Sequence, residues 1–362
     1  MSIKDLVEEK LKAIVLNDNG KTITLSDSEL VDNIVIANSK VYLSLNANKS
    51  EIDKFNLIKS QIERELSTID GITSVSVSLT SHTINNQSTS EESSSQKGVS
   101  NIKNIIAVAS GKGGVGKSTT SINLALSISK LGYNVGLLDA DIYGPSIPKL
   151  VGDNQKPKIS KDGNIMPINK FSLSLMSIGF LISEDTPMIW RGPMVISAVN
   201  QMLNDVEWGN LDYLIIDMPP GTGDVQLTIA QRLPMRGAII VSTPQDLALI
   251  DAKKGVEMFR KVNVPILGII ENMSTFVCPN CSHETHIFGH DGARFESLNQ
   301  SIDFLGDIPL EIELRKSSDV GVPIVYSDSD SDISKKFLNI ANMVTDKINS
   351  SPKNKKPNIV IN

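Results

Sequence analysis

Eight residues, GKGGVGKS from Gly111 to Ser118, have the composition and spacing of a loop that closes on a polyphosphate. Gly111, Gly113, Gly114 and Gly116 let backbone N–H groups turn inward, and the helix expected next adds the positive end of its dipole. In that geometry Lys112 and Val115 complete the cradle, Lys117 reaches the β- and γ-phosphates, Ser118 ligates Mg²⁺ and Thr119 bonds the α-phosphate. Acidic residues close two apolar runs, Asp139 and Asp141 in LLDADIYGPS and Asp217 in LIIDMPPGTGD, and strand carboxyl ends are where such sheets bind ligands. Asp217 is expected to serve the magnesium shell, and Asp139 or Asp141 to orient an attacking water. The only two cysteines, Cys278 and Cys281, lie in VCPNCSHETHIFG and form no disulfide framework, which suits a reducing compartment. Thiolates at this spacing suit an iron–sulfur cluster or zinc. His283 and His286 extend the pair to a C-x2-C-x-H-x2-H run, cramped for zinc, whose ligand pairs usually approach from separated segments. A redox CxxC would sit at a helix start in a thioredoxin-like unit, which these surroundings do not resemble.

The elements that must hold these residues are legible as apolar runs. NIIAVAS, YNVGLLDAD, LDYLIIDMP, GAIIVSTP, VPILGIIEN and DFLGDIP are near-continuously apolar, as in parallel strands covered on both faces by helices. Residues 101–349 are therefore expected to form one α/β domain, a doubly wound, mainly parallel sheet carrying the phosphate loop. Residues 1–80 read as a small α+β domain, with strands in NIVIANSKVYLSLN and ITSVSVSLT and a helix in FNLIKSQIERELSTI. Residues 81–100, SHTINNQSTSEESSSQKGVS, hold too few apolar side chains to offset the entropy of ordering and read as a flexible linker; residues 350–362 read as a tail. Within DISKKFLNIANMVTDKI, Ile333, Phe337, Ile340, Ala341 and Val344 share one helix face, expected to dock on the domain because the polar face is mixed in charge and the tail lacks an aromatic anchor. There is no internal repeat. The 362 residues carry a net charge of -6, which leaves no broad basic footprint for nucleic acid or an anionic membrane. Without a secretion signal or a run long enough to cross a bilayer, the chain is expected in the cytoplasm.

Lys112, the residue after the first glycine, resembles the signature lysine of the deviant Walker A family, KGGxGK[ST], which includes MinD, ParA and the nitrogenase iron protein. The resemblance implies a homodimer whose subunits meet over their nucleotides, with Lys112 reaching the partner's phosphates and Lys112, Lys117 and Asp141 as the catalytic set. DADIYGPSIP, WRGPM, DYLIIDMPPGTGD, STPQDLALIDAKKG, GIIENMS, CPNC and GDIPL, in this order, extend the likeness to the Mrp/ApbC branch of ATP-dependent iron–sulfur cluster carriers. That implies ATP and Mg²⁺ as cofactors, Asn272 as a candidate adenine contact, and apo iron–sulfur clients and a cluster scaffold as partners. It also implies a [4Fe–4S] cluster on Cys278 and Cys281 that bridges two chains, since a cubane usually takes four thiolates and one chain owns two. Trp190, Arg191, Gly192 and Pro193 carry the resemblance without an evident physical role. Residues 1–80 are similar to the small domain often fused ahead of this family, although they lack its acidic-proline turn and any cysteine. Two rivals stay open. One is a MinD- or ParA-like positioning ATPase acting on membrane or DNA, against which CPNC and the missing C-terminal anchor weigh; the other is a zinc-stabilised nucleotide switch.

Overall fold

The computed structural model describes residues 101–182 and 192–350 continuously and, before them, five strands, residue 99 and short stretches between residues 10 and 80. Nearly all of the expected linker, Trp190 and Arg191, and residues 351–362 of the expected tail lie outside the described residues. The chain divides into two compact units, Met1–Glu92 and Ser93–Asn362.

In the first unit, β1 (Val15–Asp18) pairs antiparallel with β2 (Lys21–Thr24). A second, three-stranded sheet runs in the order β3 (Val31–Ala37), β4 (Lys40–Asn46), β5 (Ser74–Thr80), the first pair antiparallel and the second parallel. A parallel pair needs a crossover. Ile58, Ile62 and Leu66, spaced by four and buried together with Val41, supply the apolar face of that crossover.

The second unit contains β6 (Ile102–Ala109), β7 (Val135–Asp139), β8 (Ile168–Lys170), β9 (Leu173–Ser177), β10 (Leu211–Asp217), β11 (Met235–Ser242), β12 (Ile266–Asn272), the short β13 (Phe276–Val277) and β14 (Glu284–Thr285), and β15 (Phe304–Ile308). Eight of them form one sheet in the order β15-β12-β11-β6-β10-β7-β9-β8, parallel except for β8. Side chains alternate across it: on β6, Ile106 and Val108 join one buried cluster, and Ile105, Ala107 and Ala109 join the other. The first cluster is completed by α1 (Lys117–Lys130) and α7 (Asp332–Ser350), the second by α3 (Gly192–Asn204), α4 (Asp224–Arg232) and α5 (Asp246–Lys261). Two further helices matter below, α2 (Ile147–Val151) and α6 (Gly292–Asn299). The expected face of α7 is buried throughout, with Ile333, Phe337, Ile340, Ala341 and Val344 at most 2% exposed. Each large apolar side chain so covered contributes about 1.5–3 kcal/mol relative to leaving it in water.

The six apolar runs correspond to β6, β7, β10, β11, β12 and β15, so the doubly wound, mainly parallel reading matches the structure. Strands β8 and β9 were not anticipated. They form a hairpin over Phe171 and Ser172, both at positive φ (53° and 62°), a turn normally announced by Asn-Gly. Here the strain at Phe171 is offset by packing of its ring on Tyr326, centroid to centroid 4.3 Å.

Candidate functional site

The central strand β6 delivers its carboxyl end to residues 110–116, and α1 begins at Lys117. Gly116, the residue before the helix, sits at φ 80°, and an added Cβ would lie 2.1 Å from Asn272 Nδ2. Gly111 is held as tightly, since a Cβ there would lie 2.2 Å from the backbone of Asp251 in α5. Between them Val115 anchors the loop in the core at 2% exposure. Gly113 and Gly114 face open space, Gly114 at φ 82°.

Because β10 lies beside β6, Asp217 meets the start of α1. Its Oδ1 lies 2.8 Å from Lys117 Nζ and accepts a 2.7 Å bond from Ser121 Oγ, and its Oδ2 accepts from Ser118 Oγ at 2.5 Å. Asp217 has no exposed surface and Lys117 only 6%. A buried pair of this kind stands only when its remaining lone pairs are bonded, which the two serines accomplish. Ser121 was not singled out from the sequence, although it follows Lys117 at the one-turn spacing that brings both onto one face. Thr119, the residue after Ser118, is half-buried, its carbonyl accepting from Asn123 Nδ2 at 2.8 Å.

The other two aspartates differ from each other. Asp139 is wholly buried with its carboxylate saturated: Oδ1 accepts from Asp141 N–H at 3.1 Å, and Oδ2 from Ser146 N–H at 3.0 Å, Ile147 N–H at 3.1 Å and Ser177 Oγ at 3.0 Å. These bonds tie the end of β7 to the first turn of α2 and shape the turn that carries Asp141. Burial, and then the charge of Asp217, push the Asp139 carboxyl up to about 7. Asp141 is half-buried, accepts from Gly144 N–H at 3.3 Å, and is raised by burial against the opposing pull of Lys117.

Lys112 is half-buried, and its Nζ donates to Gln245 Oε1 at 3.3 Å, at the residue before α5. Asn272, at the end of β12 and 6% exposed, donates from Nδ2 to the Val115 carbonyl at 2.8 Å, so it buttresses the loop from behind. Gln245 and Glu271, the residue before Asn272, lie in STPQDLALIDAKKG and GIIENMS, but nothing in those stretches marks either residue by itself as a contact.

The cysteines occupy a different kind of place. β13 and β14 pair antiparallel, and the connection is drawn tight by Cys278 N–H donating to His283 O at 3.0 Å and Ser282 N–H to Cys278 O at 2.8 Å. Both thiols are free, Cys278 half-buried and Cys281 exposed. Backbone N–H groups, of Asn280 first and then Cys281, hold the Cys278 thiol below its ordinary value, favouring the thiolate that binds metal. His286 packs its ring against His290, centroids 4.2 Å apart, and His290 Nδ1 lies 3.1 Å from Asp291 Oδ2. Among the described residues no three His, Cys, Asp or Glu side chains converge on one metal position, so the C-x2-C-x-H-x2-H run is not gathered into a tetrahedral site within the chain. Among them, too, no helix is long and apolar enough to cross a membrane.

Comparison with known proteins accords with this arrangement. Residues 101–345 match the family described as NUBPL iron-transfer P-loop NTPase, and residues 4–79 match one described as iron-sulfur cluster assembly protein. The iron-sulfur cluster transfer protein NUBPL of Mus musculus is 53% identical over 259 residues, covering 71% of this chain and 81% of that protein. The iron-sulfur cluster carrier protein of Escherichia coli K12 is 48% identical over 291 residues, covering 80% of this chain and 78% of that protein. Among solved structures, a nucleotide-binding protein from Archaeoglobus fulgidus in complex with ADP is 39% identical with a TM-score of 0.57, covering 66% of this chain and 93% of that one. The cell division ATPase MinD of Pyrococcus furiosus, 20% identical with a TM-score of 0.52 and covering 68% of this chain and 99% of that one, shares the fold. A phosphate loop joined to a Walker-type aspartate, a pair of free cysteines on the same unit, and a match over 101–345 lead to one conclusion: the chain belongs to the NUBPL iron-transfer P-loop NTPase family.

Proposed function

We propose that the protein is an ATP-hydrolysing, homodimeric iron–sulfur cluster carrier that assembles a [4Fe–4S] cluster on Cys278 and Cys281 of two chains and delivers it to apo-proteins. The observation that carries this reading is the pair of free thiols, Cys281 exposed and Cys278 half-buried, on a hairpin of the unit that also holds the phosphate loop. Two thiolates are half the usual complement of a cubane cluster, so a cluster held between chains stays exposed and separable, as a cargo must be.

At the nucleotide, Gly111 to Thr119 wrap the phosphates and Lys117 exchanges its bond to Asp217 for the β- and γ-phosphate oxygens. Ser118 and Asp217 offer hard oxygen donors that suit Mg²⁺, which would neutralise phosphate charge. Asp141 orients the water that attacks the γ-phosphorus; the bond to the bridging oxygen breaks, leaving ADP and phosphate. Lys112 leaves Gln245 and supplies a cation to the partner's phosphates, where charge develops. Asp139 positions Asp141 through the backbone bond, and Asn272 meets the adenine side of the site while holding Val115. The names of the relatives, a cluster transfer protein and a cluster carrier protein, support the cargo; a scaffold that donates the cluster and apo clients that accept it are the partners such a cargo needs. A reducing compartment such as the cytoplasm keeps the thiols ready, and neither nucleic acid nor membrane is required.

Anaerobic reconstitution with iron and sulfide tests this. Full loading should approach about two irons per chain and about four per dimer, with a visible cluster absorbance. A colourless protein with about one zinc per chain that depends on His283 or His286 would establish the zinc switch instead.

A further inference from the structure

We propose that the Glu271–Asn272 dipeptide at the end of β12 links the phosphate loop to the cysteine hairpin, so that nucleotide occupancy changes the accessibility of Cys278 and Cys281. This rests on the nucleotide reading above and adds the regulation of the thiol site. Adjacent residues of a strand point to opposite faces, and these two hold different parts of the molecule. Asn272 donates to the Val115 carbonyl at 2.8 Å. Glu271, 1% exposed, accepts the Ala293 N–H at 2.7 Å in the first turn of α6.

Between these anchors runs the whole thiol segment, residues 273–292. It leaves β12 through Met273 at φ 57°, carries both cysteines on the β13–β14 hairpin, and returns through Gly289 at φ 112° and Asp291 at φ 55°. Its entry follows Asn272 by chain continuity, and its exit is bonded to Glu271. A displacement of this dipeptide therefore acts on both ends of the segment. The Glu271 carboxylate is buried, and losing its acceptor bond strands a polar group, so α6 moves with it.

A second strut reaches the same segment. Lys112 Nζ bonds Gln245 Oε1 at 3.3 Å, and Pro244, the preceding residue, backs the return, with its carbonyl oxygen 2.7 Å from the position of a Cβ on Gly292 and 3.3 Å from one on Gly289. Two loop residues, Lys112 and Val115, thus bear on the elements that frame the thiols. Val115 lies between two glycines at positive φ, 82° and 80°, so its peptide plane swings with little steric resistance when the loop closes on phosphate.

The test uses the full chain, reduced and metal-free. Alkylation of the thiols by monobromobimane is timed without nucleotide, with Mg·ADP and with a non-hydrolysable Mg·ATP analogue, while binding of a fluorescent nucleotide is titrated on the same samples. Nucleotide should change the wild-type alkylation rate by about fivefold or more, the lower end of ordinary allosteric coupling. Glu271→Leu should bring that ratio to about one with nucleotide affinity within about threefold of wild type, and Glu271→Gln, which keeps an acceptor for the Ala293 N–H, should retain most of the response. Dimer closure over the thiols would alter alkylation equally in wild type and Glu271→Leu, and that result overturns the link. Should Glu271→Leu fail to fold, hydrogen exchange in the wild type decides: nucleotide must alter protection at Ala293 together with residues 273–288, and unchanged protection there overturns the proposal. Nucleotide that binds without changing the thiols sinks the link alone. Failure of any nucleotide to bind sinks the nucleotide reading and the link with it.

Discussion

The phosphate loop and the cysteine hairpin are built on opposite plans. At the loop, charge is buried and fully bonded: Asp217 has no exposed surface and is held by Lys117, Ser118 and Ser121. At the hairpin, both thiols are free, one of them exposed, and the bonds that shape the turn come from the backbone. A site that stabilises developing charge needs preorganised partners in a dry surrounding, where electrostatics is strong. A site that must receive and release a cargo needs accessible ligands and an incomplete coordination sphere. The difference teaches that in this chain the charged groups are built into the sheet while the thiols ride on a small, backbone-held projection.

Breaking the buried side should have the largest effect. Lys117→Ala is expected to lower ATP turnover by about 10³-fold or more, since the proposed mechanism moves this cation onto the phosphates as their charge builds. Steady-state phosphate release checks it, and thiol alkylation without nucleotide should match wild type. Cys278→Ser breaks the other side: cluster iron after reconstitution should fall to near zero while the ATP dissociation constant stays within about twofold, because the phosphate loop takes no ligand from the hairpin. Iron analysis beside a nucleotide titration separates the two, and loss of ATP binding in this variant would mean the regions are one site.

Gly116→Ala sharpens the comparison at intermediate size. The added methyl meets Asn272 Nδ2 at 2.1 Å in a residue at φ 80°. Strain of roughly 1–3 kcal/mol should weaken ATP binding by about fivefold or more, read by nucleotide titration. The smallest effect is one of pH. The Asp139 carboxyl lies at about 7 in the folded chain against an ordinary 3.8, so over that window the native state holds a proton the unfolded chain has released. Wild-type stability should therefore fall as pH rises through the window, its contribution gone above about 7. Asp139→Asn should flatten that slope while costing about 1–3 kcal/mol through the donors it no longer satisfies. Urea midpoints across the window, variant against wild type, measure both.

Some of this was readable in the residue order and some was not, for identifiable reasons. The six sheet strands announce themselves because strands covered on both faces are apolar at every position. β8 and β9 stayed hidden because their turn places Phe171 and Ser172 at positive φ without a glycine or asparagine, and the compensating partner, Tyr326, is remote in the chain. Asp139 and Asp217 look alike as acidic strand ends. Their surroundings separate them: four donors close on Asp139, while Asp217 faces the start of α1. His283 and His286 look like zinc ligands beside CPNC, yet the hairpin does not gather them with the thiols into a common position.

Eight consecutive residues suffice to announce a phosphate loop because such a loop acts through its own backbone, and CPNC is legible because two thiols two residues apart are a local unit. The bond between Lys117 and Asp217 joins positions 100 apart and depends on β10 lying beside β6 in register, which no local pattern encodes. The same holds for Asn272 against Val115, Lys112 against Gln245 and Glu271 against Ala293. Each is a contact between elements whose neighbourhood is set by sheet order and helix packing, the long-range part of the fold, where burial of whole faces rather than the type of any one residue decides which side chains meet.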